Sequence, residues 1–177
     1  AAYRWNEWGY QETVLHLRLG RNADAQIWIN HPGETMHSGY GRPSYWGGSG
    51  TLPRVHHYRG LAVAVFDCSP EQPDFTHAWF PRSAFDAWRV EGRHALARGG
   101  TGLSLLIADR PFESIERGPT AGNELRVPGR KATWIVRLGR GDGERALHDF
   151  AQRFSPLALR HGNGDLLEIE DPEYGLV

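Results

Sequence analysis

The residues best suited to chemistry are concentrated in one stretch, from Asn30 to Tyr58. This stretch holds four of the nine histidines, three tyrosines, one tryptophan and six glycines. Glycine and proline recur every few residues, which breaks both the two-residue period of a strand and the 3.6-residue period of a helix. We predict a long, ordered loop here, because a disordered linker would be poor in large aromatic rings.

Imidazole and phenol groups of this loop are the candidates for proton transfer. Histidine is the side chain whose charge changes near neutral pH, and a tyrosine hydroxyl can assist it as an acid or a base. The predicted catalytic residues are His31, His37, His56, His57 and Tyr45. His56 and His57 are adjacent in sequence, so at most one of them faces a given pocket if the chain is extended there.

Cationic and aromatic side chains of the same loop are suited to binding a polar ligand. A planar guanidinium binds a carboxylate or sulfate through two parallel hydrogen bonds. An indole ring between glycines can stack on the apolar C–H face of a sugar. The predicted substrate-binding residues are Glu34, Tyr40, Arg42, Trp46 and Arg54.

Tryptophans outside the loop are candidates either for sugar binding or for the core. Trp28 and Trp79 could stack on a sugar ring, but tryptophan in a β-rich domain is more often part of the core. We predict that Trp28 and Trp134 are core residues.

A divalent metal is an open alternative at this stage, although we predict no metal or other cofactor. Two sets of side chains have suitable ligand atoms: His31 and His37 with Glu34, or His56 or His57 with Asp67 and His77. Neither spacing matches a zinc signature such as H-E-x-x-H. We therefore interpret the histidines as hydrogen-bonded or substrate-facing, and His77 as structural or as a support for the groups that contact substrate.

Composition narrows the choice of partners. The chain has 177 residues and a formal net charge of -1, which suits one domain and gives no overall field for nucleic acid or an anionic membrane. Its single cysteine allows no internal disulfide. The first residue is Ala1 rather than methionine, and we expect residues 1–177 to be one domain of a longer protein.

Short strands are the elements that must position the loop. Glu12–Gly20 alternates apolar and polar residues, Ala25–Asn30 is a second strand, and together they predict a hairpin leading into the loop. Leu61–Asp67 is apolar on both faces, which is typical of a fully covered strand. Further strands are predicted within residues 75–81, 85–90, 93–109, 124–139, 157–160, 165–169 and 174–177.

One amphipathic helix is predicted near residues 143–155. Ala146, Phe150 and Phe154 recur every four residues on one face, and Pro156 ends the pattern. About nine or ten short strands with glycine and proline turns and one helix indicate an all-β fold, an antiparallel β-sandwich.

Three segments together resemble the C-terminal β-sandwich region of heparinase II/III-like bacterial proteins. They are INHPGE at Ile29–Glu34, GYGRPSYWGGSGTLPRVHHY at Gly39–Tyr58 and THAWFP at Thr76–Pro81. The resemblance implies a sandwich that is joined to a helical α/α toroid and contributes a histidine to a shared cleft. The implied reaction is β-elimination on a uronic-acid polysaccharide, in which a base removes the C5 proton and cations neutralise the carboxylate.

The resulting expectation is the sandwich portion of a lyase-like, polysaccharide-processing enzyme that lines a glycan cleft with the Asn30–Tyr58 loop. Its partners would be a polysaccharide or oligosaccharide and the helical toroid of the same protein, without which it would be inactive. Two alternatives stay open: a non-catalytic carbohydrate-binding or structural module, and a cupin-like metalloenzyme.

Overall fold

The central strands, such as Leu61–Asp67 and Gly102–Ala108, are buried at almost every position and apolar on both faces, as strands covered on both sides must be. The computed structural model describes residues 15–30, 53–67, 74–118, 120–143, 145–161 and 167–177. All strand pairs in these ranges are antiparallel. The predicted all-β, sandwich-like fold is confirmed.

Fourteen strands, numbered in chain order, form three sheets in the described residues. The five-stranded sheet has the order β1 (Leu15–Arg18), β2 (Gln26–Asn30), β5 (Phe75–Trp79), β10 (Glu124–Pro128), β9 (Glu113–Ser114). The six-stranded sheet has the order β3 (Arg54–Tyr58), β4 (Leu61–Asp67), β11 (Lys131–Arg140), β8 (Gly102–Ala108), β7 (His94–Gly99), β6 (Ala87–Glu91). The small sheet is β12 (Ala158–His161), β13 (Leu167–Asp171), β14 (Gly175–Leu176).

The main core lies between the inner faces of the two large sheets. The five-stranded sheet contributes Ile27 and Ile29, and the six-stranded sheet contributes Phe66 and Trp134. Trp134 is fully buried and donates its indole N–H to Thr76 Oγ1 at 2.8 Å. The prediction that Trp134 is a core residue is confirmed.

A second core covers the outer face of the six-stranded sheet. The predicted helix is present as α1 (Ala146–Phe154), and its buried residues Ala146, Phe150 and Phe154 lie on one stripe. This stripe packs with Leu105 and Ile135 of the sheet. The helix could not approach so closely without Gly139 of β11, because a Cβ there would overlap the Phe150 ring.

A buried ion pair joins the small sheet to the six-stranded sheet. Arg137 of β11 and Asp171 of β13 are 2% and 1% exposed, and Arg137 Nε lies 2.9 Å from Asp171 Oδ2. The guanidinium also pairs with Glu173 and lies over the rings of Phe154 and Tyr174, at 4.4 and 4.5 Å from their centroids. Asp171 Oδ1 accepts the backbone N–H groups of Glu173 and Tyr174, so it also fixes the turn before β14.

The fourteen strands exceed the predicted nine or ten, because short strands such as Glu113–Ser114 and Gly175–Leu176 carry no pattern of their own. Two further details differ from the sequence predictions. Within the predicted loop Asn30–Tyr58, Asn30 ends β2 and Arg54–Tyr58 forms β3, an edge strand whose five residues are all exposed. An edge strand without a buried face has no apolar alternation by which the sequence could reveal it. Residues 31–52 of that prediction lie outside the described residues.

The second difference concerns the segment 124–139, which has the sequence signature of a hairpin. Its strands β10 and β11 belong to different sheets, so the chain crosses the sandwich between them. Arg110 holds this corner by donating to the carbonyl oxygens of Pro128 and Lys131 at 2.9 and 2.8 Å. No helix within the described ranges is long and apolar enough to cross a membrane.

Candidate functional site

The outer face of the five-stranded sheet carries two neighbouring rows of polar and aromatic side chains. Because side chains alternate along a strand, the residues between those of the core point to this face. The tryptophan row runs across the sheet through His16, Trp28, Trp79 and Glu124. The histidine row runs parallel to it through Asn30, His77, Arg126 and Glu113. The two rows are two residues apart along each strand, or roughly 6.5 Å.

A buried histidine–carboxylate pair connects the two rows. His77 Nδ1 lies 3.0 Å from Glu124 Oε1, and the two side chains are about fully buried, at 0% and 2% exposure. The residues meet because they are diagonal neighbours on β5 and β10, within reach of long side chains. The same carboxylate accepts Arg126 Nε at 2.7 Å and the hydroxyl of Thr120. Three donors therefore converge on Glu124.

These contacts determine the charge of the pair. Burial by itself would raise the pKa of Glu124, but the hydrogen bonds from His77, Arg126 and Thr120 outweigh it and lower the pKa to about 2. Burial lowers the pKa of His77, against the opposing effect of Glu124. At neutral pH the pair is consequently an ionised carboxylate and a neutral imidazole.

The neutral imidazole has a defined tautomer. Its Nδ1 faces the ionised carboxylate, which can only accept a hydrogen bond, so the ring proton is on Nδ1 and the lone pair is on Nε2. Histidines that act as general bases or bind metal ions are often oriented by a carboxylate in this way.

A pocket of about 520 Å³ opens beside the tryptophan row. Trp28 and Trp79 line one side of it, and the β1–β2 turn and the segment after β5 line the other. Its polar lining includes Asn22, Asp24, Gln26 and Asn123. The volume lies within the roughly 300–1,000 Å³ that is usual for small-ligand sites.

Hydrogen bonds fix the Trp28 ring at the edge of this pocket. Gln26 Oε1 accepts the indole N–H at 3.2 Å and lies 2.7 Å from His16 Nε2. The His16 ring meets the indole edge to face at a centroid distance of 5.6 Å. Trp28 is half-buried on the outer face, so the prediction that it belongs to the core is wrong. Its alternative interpretation as a stacking residue matches this position.

The structure places three predicted site residues on the other sheet. Arg54, His56 and His57 lie on the edge strand β3, and His56 and His57 point to opposite faces. Arg54 and His56 line a second pocket of about 340 Å³, whose other walls include Val63, Ile169 and Val177. None of the three lines the pocket beside Trp28.

The remaining predicted site residues lie outside the described residues. They are the catalytic candidates His31, His37 and Tyr45 and the binding candidates Glu34, Tyr40, Arg42 and Trp46. Their roles stay predictions. The described part of the chain contains no group of three or more His, Cys, Asp or Glu side chains that could hold a metal ion.

Sequence reasoning overlooked the histidine–carboxylate pair. From the sequence alone His77 is interpreted as structural or as a support for the groups that contact substrate, and Glu124 is not a candidate. The alternation of Phe75–Trp79 puts His77 on the same face as two large aromatic residues, while the smaller Thr76 and Ala78 face the core, so the pattern gives no sign of a site on the outer face. The partner of His77 is 47 positions away and is brought to it only by the β5–β10 register, which the sequence does not reveal.

Comparison of the chain with models of protein families, with curated proteins and with solved structures found no match.

Proposed function

We propose that this chain binds a glycan on the outer face of its five-stranded sheet, as the β-sandwich portion of a polysaccharide-processing protein. The observation that carries the proposal is Trp28, half-buried on β2 at a pocket with amide and carboxylate side chains, with Trp79 of β5, 4% exposed, as its neighbour in the pocket lining. Indole rings offer large, rigid apolar surfaces to the C–H faces of a sugar. A few placed polar groups around such a surface give orientation and specificity.

The resemblance to heparinase II/III-like proteins supports the same proposal from the sequence. In that arrangement the sandwich forms one wall of a cleft and a helical toroid forms the other. Asn30, which ends β2, belongs to the histidine row, and the segment predicted to contact the glycan follows it in the sequence.

Binding to a panel of neutral and uronate polysaccharides, measured by affinity electrophoresis and calorimetry, tests the proposal. We expect Trp28→Ala to weaken binding at least about tenfold, as loss of a stacking platform removes one of the main contacts. The matched control is Trp88→Ala, which removes the 44% exposed tryptophan of β6 on the other sheet and should leave binding unchanged.

Two results would contradict glycan binding on this face. One is that no polysaccharide of the panel binds. The other is that a polysaccharide binds equally well to wild type and to Trp28→Ala.

A catalytic share in β-elimination is the second candidate, and the His77–Glu124 pair favours it. β-Elimination on a uronate needs a base near neutral pH and a cation for the carboxylate. A neutral His77 oriented by Glu124 has the properties of the base, and Arg126, opposite His77 on β10, has those of the cation.

Release of unsaturated oligosaccharides by the protein that contains this chain tests the catalytic candidate. We expect His77→Gln to abolish release, because glutamine keeps a polar group but cannot act as the base. His94→Gln, which changes a half-buried histidine of the other sheet, is the control and should retain it. Turnover that survives His77→Gln would leave only the binding function.

A further inference from the structure

We infer that the pocket beside Trp28 receives an uncharged sugar unit. Neighbouring hydroxyl groups of this unit donate hydrogen bonds to the carboxylate of Asp24. This inference rests on the glycan-binding function proposed above and specifies its ligand. It concerns the charge of the pocket and the hydrogen-bonding groups that line it.

The described lining of the pocket contains one ionisable side chain, the carboxylate of Asp24. Two arginines flank the lining in sequence, Arg21 before Asn22 and Arg82 between Pro81 and Ser83, and neither is part of it. Arg82 is committed elsewhere. Its guanidinium donates to Ser114 Oγ at 3.1 Å and lies over the Trp88 ring, 4.9 Å from the centroid. The described walls therefore carry a net negative charge.

Asp24 is held in place by the backbone while its carboxylate stays available. Its N–H donates to Asn22 Oδ1 at 3.0 Å, and the Asn22 amide in turn donates to the carbonyl oxygen of Ala84 at 3.0 Å. These bonds tie the β1–β2 turn to the segment after β5. The side chain of Asp24 is exposed, and its oxygens make no hydrogen bond or ion pair with the other described residues.

The amides around Asp24 supply complementary donors. Asn123 Oδ1 accepts the backbone N–H of Arg82 at 3.2 Å, which fixes which side of the amide is NH₂. Each of the Asn22 and Asn123 amides has two N–H bonds, and a single described carbonyl accepts from each, Ala84 and Ala121 respectively. A second N–H of each is left to donate to a ligand hydroxyl oxygen.

An uncharged sugar matches this set of groups. A carboxylate has two oxygens and can accept from two adjacent hydroxyl groups at once, while the amides donate to hydroxyl oxygens. The C–H face of the same ring can lie on Trp28. A uronate in the same place would bring a second carboxylate beside Asp24, and two like charges in a partly enclosed site repel.

Calorimetric titration of the chain with defined oligosaccharides tests the inference. The uncharged probes are β-1,4-linked glucose and mannose hexamers, and the charged probes are oligogalacturonate and oligomannuronate of the same length. Wild type, Trp28→Ala and Asp24→Asn are compared, with Asp149→Asn on the exposed face of α1 as the matched charge control. A cooperative urea transition for each variant confirms that it is folded.

We expect an uncharged hexamer to bind at least about tenfold more tightly than either uronate, and Asp24→Asn to weaken it about tenfold. The same substitution should leave uronate binding equal or stronger, and Asp149→Asn should change neither. Tight uronate binding that depends on Trp28, or uncharged-sugar binding that Asp24→Asn does not weaken, would overturn the inference and leave the glycan-binding proposal standing. Absence of binding by all four probes would remove both.

Discussion

The outer face of the six-stranded sheet is covered by apolar side chains of α1 and β13, whereas the outer face of the five-stranded sheet carries buried ionisable groups and a pocket. On the first face the charges Arg137 and Asp171 neutralise each other and join two sheets. On the second, Glu124 is held ionised beside a neutral His77. Both faces contain buried charge, but only the second combines it with aromatic and amide groups around a pocket.

The two faces therefore carry two kinds of buried charge pair. Arg137–Asp171 contributes to packing, and His77–Glu124 has properties of a functional site. The Arg137–Asp171 pair is buried against the rings of Phe154 and Tyr174 and joins two sheets. Glu124 lies in the same row as Trp28 and Trp79, which line the pocket, and His77 lies in the neighbouring row. Substitutions on the first face should therefore alter stability alone, and those on the second should alter titration and binding.

The largest effect is expected for Arg137→Met. It leaves Asp171 as an unpaired buried carboxylate, which should lower the free energy of unfolding by about 3–5 kcal/mol. Urea denaturation measures this. Arg137→Met combined with Asp171→Asn should recover much of the loss, because the amide oxygen can still accept the turn N–H groups without the charge.

The matched control for this change is Arg160→Met. Arg160 pairs with Glu170 on the same small sheet, but both side chains are largely exposed, so the cost should stay below about 1 kcal/mol. Equal losses for Arg137→Met and Arg160→Met would show that burial does not distinguish the two ion pairs.

Gly139→Ala should lower the free energy of unfolding by about 1–3 kcal/mol, as overpacking does. The new methyl group would overlap the Phe150 ring and force α1 away from the sheet. The loss should shrink when Phe150→Leu is present, since the smaller side chain leaves room, and a double-mutant cycle in urea measures this coupling. Strictly additive effects would contradict the contact.

A change of stability with pH is the next expected effect, and it tests the other face. The folded pKa of His77 is lowered, so the unfolded chain binds the proton more readily and stability falls as the pH drops below about 6.5. The folded pKa of Glu124 is about 2, so its stabilisation is present above about 4.5 and is lost as the pH falls towards 2.

Urea midpoints between pH 8 and pH 2 resolve these two phases. His77→Gln should flatten the profile near pH 6, and Glu124→Gln should flatten it below about pH 4.5. His94 also has a pKa lowered by burial, but it lies on β7, so His94→Gln should retain the His77 contribution. A profile for His77→Gln that matches wild type would contradict the buried neutral imidazole.

The smallest effect on stability is expected for Trp28→Ala. The indole is half-buried on the outer face, so its loss should cost about 1 kcal/mol or less, in spite of its effect on glycan binding. Trp134→Ala, in the fully buried core, should cost about 3–5 kcal/mol. Similar costs for the two tryptophans would place Trp28 in the core after all.

Local patterns predicted most of the elements. Leu61–Asp67 is a strand over the range that its apolar run indicates, and α1 lies within the predicted 143–155. Strand pairings that depend on residues distant in the sequence could not be predicted. The 124–139 segment resembles a hairpin, but its two strands join different sheets, where β10 pairs with β5 and β11 pairs with β4.

The candidate site was less predictable than the fold for the same reason. Attention to the glycine-rich stretch selected Arg54, His56 and His57, which lie on an exposed edge strand of the other sheet. The buried pair could not be predicted, because only the register between β5 and β10 brings the histidine of one strand into contact with the glutamate of the other. Trp28 was assigned to the wrong face because its size, rather than its alternation with Ile27 and Ile29, decided the prediction.

His77 lies on the outer face because side chains along β5 alternate between the two faces of the sheet. Its position therefore depends on whether its distance in residues from the other members of the strand is odd or even. A one-residue deletion between Thr76 and Trp79 would reverse every following side chain, so that the indole of Trp79 would take the place of Ala78 in the apolar interior. Homologous sequences should consequently tolerate insertions or losses of residues in pairs, if at all, within this strand. Proteins that share the site would then have a β5 strand that is equal in length or differs by an even number of residues, and this would mark them better than the identity of neighbouring residues.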